Sequence, residues 1–134
     1  MKKMVSILAI AAISVPMAVM ANDELKANMH QLDSYMIDMQ AGFLNSDKKK
    51  VLASIDGLQK QTHALFGKES AIKAMLPKEK QFKSRIAITS ASMIQQGIDT
   101  IRDNMDNARR DTAQNAYLDI ERACMRCHNL VRDW

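Results

Sequence analysis

Apolar residues recur at intervals of three and four along the first part of the chain, which is the period of an amphipathic helix. Between about residues 23 and 44 they form one continuous stripe: Leu25, Met29, Leu32, Met36, Met39 and Phe43. After a polar interruption at 45–47, a second helical segment begins near Lys48. Its predicted inward residues are Val51, Leu52, Ile55, Leu58, Thr62, Leu65 and Phe66. Gly67 is predicted to end the helix in the left-handed conformation.

The second half of the chain continues the helical pattern. Pro77 suits the first turn of a third helix, and the inward residues then follow at helical spacing: Phe82, Ile86, Ser90, Met93, Gly97, Ile101 and Met105. A fourth helix has these residues on one face: Ala113, Tyr117, Ile120, Cys124, Cys127 and Val131. No segment alternates with period two, and 68–76 is predicted as a loop with a helical turn. The sequence therefore predicts an all-α antiparallel up-down-up-down four-helix bundle.

The N-terminal 21 residues have the layout of a secretory signal peptide. A basic start at 2–3 precedes an uncharged apolar segment at 4–15, and Pro16 comes before a small-residue cleavage site that ends at Ala21. The apolar segment is shorter than the ~20 residues that a membrane-spanning helix needs. We therefore predict cleavage after Ala21, one helical domain over 22–134 without a membrane span, and export to the periplasm.

The composition narrows the class of protein further. Only 4% of the 134 residues are aromatic, and the chain has 4 Gly and 2 Pro, which argues against an all-β sandwich or barrel. The net charge of +4 is small and dispersed along the chain, so nucleic-acid binding is not predicted. Two cysteines cannot form a framework of several disulfides, so any chemical role that they share is that of a single pair.

That pair lies in the sequence Cys124-Met125-Arg126-Cys127-His128, within the fourth predicted helix. C-x-x-C-H is the attachment sequence of c-type haem. Each thiol can add to a haem vinyl group, and residues three apart lie on one face of a helix, where both can reach one edge of the porphyrin. His128 follows directly and is the predicted proximal ligand of the iron. We therefore predict one covalently bound haem c, attached at Cys124 and Cys127.

Three other interpretations of the cysteine pair remain open at this point. The pair could be a thiol redox centre, although such centres normally accompany a strand–helix context that is not predicted here. It could be half of a zinc site, for which only His30 and His63 remain as further histidines. It could also be a structural disulfide, which would stabilise little because it would close so short a loop.

A haem motif near the C-terminus of an all-helical chain resembles the class II c-type cytochromes, which comprise cytochrome c′ and its six-coordinate relatives. The residues that carry the resemblance are Cys124, Cys127, His128 and the basic Arg132 that follows them. The opening pattern over 25–32 is also similar to that of the periplasmic b-type four-helix cytochrome. The resemblance extends in layout over the whole predicted mature chain and implies a four-helix haem bundle.

The resemblance also implies a sixth iron ligand. In the six-coordinate relatives, a Met at the matching place in helix one binds the iron, which corresponds to Met29 in this chain. Met29 lies on the inward stripe, and its thioether would favour the ferrous state. Met36, on the same stripe, and His30, one residue away from it, are the alternative ligands. Met29 could also be ordinary core filler, as Met residues at such positions often are.

The function follows from the sixth ligand. If Met29 occupies the sixth coordination position of the iron, the resemblance implies a one-electron carrier that works with redox partner proteins in the periplasm and is not an enzyme. If the iron is five-coordinate, the chain would bind NO or CO in the manner of cytochrome c′, and Met29 would only line the pocket. The relatives often form dimers through their first two helices, so a homodimer is a further expectation from the resemblance.

Overall fold

Helices make up nearly all of the structure, a computed structural model that describes residues 17–132 and the side chains of 23–130. In chain order the α-helices are α1 (Met17–Leu44), α2 (Lys48–Phe66), α3 (Glu69–Met75), α4 (Ser84–Asp106) and α5 (Arg110–Arg132), with a 3-10 helix at Lys78–Lys83 before α4. This described part contains no strand. The all-α class is therefore confirmed, with four long helices and one short one. Residues 1–16 of the predicted signal peptide lie outside the described residues, and the last five of its residues begin α1.

The connections between α1 and α2 and between α4 and α5 are short because polar residues end one helix and begin the next. Asp47 caps α2, since its Oδ1 accepts a hydrogen bond from the backbone N–H of Lys50 at 3.0 Å. Ser46 and Ala108 each take the left-handed conformation, with φ of 56°. One such residue reverses the chain in each connection, so both helix pairs form tight hairpins.

The two connections lie close together. Lys48 Nζ is 3.1 Å from Asp106 Oδ1, and Arg110 donates a hydrogen bond to the Ser46 hydroxyl at 3.3 Å. Further along the molecule, Arg102 of α4 donates to Asp56 of α2 at 2.7 Å. These polar contacts fix α2 beside α4 and bring the two hairpin connections together. The region where the connections meet is called here the hairpin end.

The core is continuous between the hairpin end and the middle of the molecule. The residues fully enclosed there come from all four long helices, and they include Met39, Val51, Ile55, Leu58, Ile98, Ile101, Ala113 and Ile120. Gly97 lets α4 and α5 approach closely, because a Cβ at this position would overlap the side chain of Ile120. Burying this many branched aliphatic side chains supplies the main favourable term for folding.

The region between α2 and α4 differs from the prediction in four respects. Residues 69–75 form the short helix α3, where a loop with one helical turn is predicted. Gly67 ends α2 with φ −67°, not in the left-handed conformation. Pro77 precedes the 3-10 helix, so the third long helix begins only at Ser84. Phe82, predicted to face inward, is 79% exposed, because the 3-10 turn rotates it out of the stripe that continues into α4.

No helix among the described residues is both long enough and apolar enough to cross a bilayer.

Candidate functional site

A cavity of about 260 Å³ lies between α1 and α5, and its lining extends from Met29 to Gln40 on α1 and from Tyr117 to His128 on α5. Phe66 of α2 and Ile94 of α4 close it on the inner side, and Ile37 and Met125, both more than half exposed, stand at its opening. Its volume is slightly below the usual range of about 300–1,000 Å³ for ligand pockets. A planar group larger than the cavity would therefore extend through the opening.

The α5 wall of the cavity contains the whole predicted attachment motif. Cys124, Cys127 and His128 all line it, and all three are half-buried. The two cysteines are free thiols, not a disulfide. Because residues three apart on a helix share a face, the helical conformation of α5 brings both sulfur atoms to the same cavity as the imidazole.

The surroundings of the two thiols keep them protonated. Burial raises the pKa of Cys124 to about 11, with the nearby Cys127 and Glu121 adding to the effect, and burial also raises the pKa of Cys127. Thiols of redox centres have lowered pKa values, because the thiolate is the reactive species. The thiol redox interpretation is therefore disfavoured by the environment of both sulfur atoms.

The α1 wall faces this motif with apolar side chains of the predicted stripe. Met29, Leu32 and Met36 all line the cavity, and each is half-buried. His30 points away from the cavity and is exposed, as is His63 on α2. The structure thus brings Met29 and Met36 to the same space as His128, while His30 and His63 lie elsewhere.

The cavity exists because α1 and α5 separate along part of their length. Toward the hairpin end they meet at Phe43 and Tyr117, whose rings pack edge to face with centroids 6.1 Å apart. In the described part of the chain, α1 and α5 approach each other closely at few points, whereas α1 packs along α2 and α5 packs along α4. The gap between α1 and α5 is therefore not shared by the closely packed pairs α1–α2 and α4–α5.

Two acidic side chains stand in the wall of the cavity. Asp33 of α1 and Glu121 of α5 both line it, and both are exposed at its outer edge. Burial raises the pKa of Tyr117, and the charges of Glu121, Cys124 and Asp33 raise it further. The negative potential of the two carboxylates thus extends into the cavity.

Sequence reasoning missed the residues beside the predicted stripe. Asp33 and Ile37 follow Met29 at successive intervals of four, so they form a second line on the same side of α1. Glu121 precedes Cys124 by three residues and lies on the cysteine face of α5 for the same reason. All three could have been found by extending the helical spacing from Met29 along α1 and from Cys124 along α5.

The donor set fits a haem attached through thioethers. Two thiols at the attachment spacing, an imidazole next to them and two thioethers across an apolar cavity are the groups that such a cofactor takes from a protein. The part of the chain that the structure describes contains no group of three or more His, Cys, Asp or Glu able to hold a metal ion on their own. A haem iron takes only two axial ligands from the protein, so this donor set needs no such group.

Comparisons with protein-family models, with curated proteins and with solved structures found no match to this chain.

Proposed function

We propose that the chain is an exported monohaem c-type cytochrome of the class II type, which carries one electron in the periplasm. The observation that carries the proposal is the cavity between α1 and α5, because Cys124, Cys127 and His128 line one wall and Met29 lines the other. In this proposal Cys124 and Cys127 form the thioethers, His128 is the proximal iron ligand and Met29 is the distal one. When bound, the haem supplies an iron that accepts and releases one electron.

The proposal includes the up-down-up-down order of the four long helices. It is supported by the position of the two tight connections, which contact each other through Lys48 and Asp106 and through Ser46 and Arg110. If both hairpins turn at the same end, α1 and α5 are antiparallel neighbours. The second turn of mature α1 and the attachment motif of α5 then belong to the opposite end, as the proposed ligand pair requires.

The choice between Met29 and Met36 depends on their levels along the bundle. The rings of Phe43 and Tyr117 mark a point where α1 and α5 meet. His128 follows Tyr117 by eleven residues and Leu32 precedes Phe43 by eleven, so in antiparallel helices the two residues lie at the same height along the bundle. At 1.5 Å per residue, Met29 is then about 4.5 Å from that level and Met36 about 6 Å. Met29 is the nearer of the two, and it is also the position that the class II resemblance indicates.

Each proposed residue contributes a definite physical effect. The His128 imidazole and the Met29 thioether would hold the iron from opposite helices, and the soft thioether favours the reduced state. With His128 and Met29 both bound to it, the iron would have no site left for an external ligand. The filled core around Ile98 and Ile120 holds α4 and α5 in place, so His128 would move little between oxidation states.

The test is the absorption spectrum of the holoprotein, its methionine variants and a matched control. Wild-type protein is expected to show low-spin haem with a weak methionine-to-iron charge-transfer band at the red end of the spectrum. Met29→Leu is expected to remove that band and give a high-spin spectrum, because Leu has no donor atom. Met36→Leu, the matched change on the same cavity wall, is expected to keep both features.

A five-coordinate haem that binds NO or CO is the second candidate function. It is favoured by Leu32, since this apolar side chain lines the cavity at the level expected for His128 and offers no ligand. A high-spin wild-type spectrum that Met29→Leu leaves unchanged would support this candidate and reject electron transfer by a Met-ligated haem. Rapid CO binding by the reduced wild-type protein would lead to the same conclusion.

A further inference from the structure

The position of α1 beside the cavity is set by its contacts with α2. Asn28, Tyr35 and Gly42 are spaced seven residues apart, so they lie on one face of α1. At Gly57 of α2 a Cβ would overlap the ring of Tyr35, and at Gly42 a Cβ would come within 2.8 Å of the Val51 side chain. The two helices are therefore in close contact along this face of α1.

The same face makes a hydrogen bond next to the proposed distal ligand. Gln61 Nε2 of α2 donates to Asn28 Oδ1 at 2.7 Å, and both side chains are half-buried. Asn28 directly precedes Met29, and consecutive residues of an α-helix point about 100° apart. When Gln61 holds Asn28 against α2, Met29 is turned toward the cavity that it lines. The bond thus fixes both the height and the rotation of α1 at this position.

On the cavity side, α1 has little direct support from α5 near Met29. The ring contact between Phe43 and Tyr117 lies fourteen residues further along α1, a distance of about 21 Å. Elsewhere in the described part of the chain, the two helices approach each other closely at few points. The placement of Met29 therefore depends on α2 more than on α5.

A small shift of α1 along its axis would change which thioether is nearer to the iron. Leu32 lies at the height of His128, with Met29 three residues to one side of it and Met36 four residues to the other. A shift of half a residue, about 0.75 Å, would make the two methionines equally near. A contact that fixes the height of α1 therefore decides between them.

We propose that Gln61 is a positioning residue of the haem site, which selects Met29 as the distal iron ligand through its hydrogen bond to Asn28. The inference rests on the proposed function, since it concerns the ligand that this function requires. Neither Gln61 nor Asn28 is among the residues that line the cavity, so the effect of Gln61 on the haem passes through α1. Without the bond, α1 would move more freely and Met36 would compete for the same position.

The test uses two properties of the ferric holoprotein that report the bond between iron and methionine. One is the intensity of the methionine-to-iron charge-transfer band, and the other is the rate at which cyanide displaces the thioether from the iron. Every variant carries Met36→Leu, so that Met29 is the only methionine of the α1 wall that can give the band. Met36→Leu alone is the reference protein.

The decisive variant is Gln61→Ala, which removes the donor without changing a residue of the cavity wall. Asn28→Ala removes the acceptor and is a second variant. The matched control is Lys50→Ala, because Lys50 of α2 also makes a polar contact with α1, an ion pair with Asp38 at 2.9 Å near the hairpin end. Gln61→Glu is the conservative variant, since its carboxylate can accept a hydrogen bond from the rotated Asn28 amide.

We expect Gln61→Ala and Asn28→Ala to weaken the band and to accelerate cyanide binding by about 3- to 10-fold, which corresponds to the loss of one hydrogen bond. Lys50→Ala and Gln61→Glu are expected to keep the band and the rate of the reference protein. Urea denaturation of each variant is measured as well. Similar stability of Gln61→Ala and Lys50→Ala, with a changed band only in the former, separates positioning of the ligand from a general structural role.

Two outcomes would overturn the inference and leave electron transfer by a Met-ligated haem intact. The first is a reference protein with the band that neither Gln61→Ala nor Asn28→Ala changes beyond Lys50→Ala. The second is loss of the band on Met36→Leu alone, since Met36 would then be the ligand. A high-spin spectrum of the wild-type protein, recorded first, would instead reject the proposed function, and the inference with it.

Discussion

The hairpin end and the part of the molecule around the cavity, called here the cavity end, are both lined by regular apolar stripes. Protein side chains fill only the hairpin end. Met39 is fully buried among aliphatic side chains near the hairpin end. Met29 and Met36 belong to the same stripe of α1 but are half-buried in a cavity wall. A regular apolar stripe thus predicts which face of a helix is inward, but not whether protein or a cofactor fills the space that it faces.

The largest expected effect comes from removing the attachment thiols at the cavity end. We expect Cys124→Ala with Cys127→Ala to abolish covalent haem completely, as measured by haem staining after denaturing electrophoresis. Arg126→Ala, a change between the two cysteines that removes no thiol, serves as the control and is expected to stain normally. Retention of covalent haem by the double variant would refute the attachment sites.

A large loss of stability is expected when a core side chain is truncated in the well-packed part of the molecule. Ile98→Ala should lower the free energy of unfolding by about 2–5 kcal/mol, because it deletes methylene groups from a fully enclosed site. Leu32→Ala in the protein without haem should cost roughly half as much or less, since its side chain already borders a cavity. Urea denaturation of both variants measures the difference, and equal losses would remove the contrast between the two ends.

A smaller effect, of opposite sign, is expected from two buried hydroxyl groups. The Thr62 and Ser90 hydroxyl oxygens are buried, and neither has a hydrogen-bond partner among the described residues. Thr62→Val and Ser90→Ala should each raise the free energy of unfolding by about 1 kcal/mol, because an unsatisfied buried hydroxyl is removed. Thr89→Val, at an exposed position of α4, is the control and should change stability by less than about 0.5 kcal/mol. A loss of stability in both buried variants would show that these hydroxyls are satisfied.

The smallest effect is expected from the ion pair between the two connections. Asp106→Asn removes the partner of Lys48, and both side chains are well exposed, so solvent screening should limit the loss to about 0.2–1 kcal/mol. The loss should shrink further when unfolding is measured at high salt. A salt-independent loss well above this range would mean that charge, and not the apolar core, holds the hairpin end together.

Helical periodicity was sufficient to predict the long helices and most of their inward faces. The stripe of α1 and the buried positions Val51, Ile55 and Leu58 of α2 lie inward as predicted. Ile94 and Ile98 of α4 were missed because the predicted stripe was narrower than the face that α2 and α5 cover. The inward face of a helix with neighbours on two sides is wider than a coiled-coil seam.

The segment between α2 and α4 could not be predicted at the same level. Its apolar residues are too few to give a clear period, and Pro77 can begin either an α-helix or a 3-10 turn. The choice depends on how the segment packs on α4 and α5, and such contacts have no local sequence pattern. The exposed Phe82 is the consequence of that choice.

The candidate site was predicted for different reasons at its two walls. Cys124, Cys127 and His128 were found from a spacing that chemistry imposes, and the structure places all three in one cavity. Met29 was chosen by resemblance from several methionines with the same period, and the structure places Met36 beside it in the same wall. The carboxylates of Asp33 and Glu121 reach one cavity only through the pairing of α1 with α5, which no local pattern specifies.

The arrangement of the two hairpins has a consequence for the order of folding. Most contacts join helices that are neighbours in the chain, α1 with α2 and α4 with α5, and such local contacts form quickly. The approach of α1 to α5 must close a loop of nearly the whole domain, so its entropic cost is the largest. We therefore expect the two hairpins to form first and the cavity to close last. The thiols of α5 would then stay accessible to a haem attachment system until the first and last helices meet.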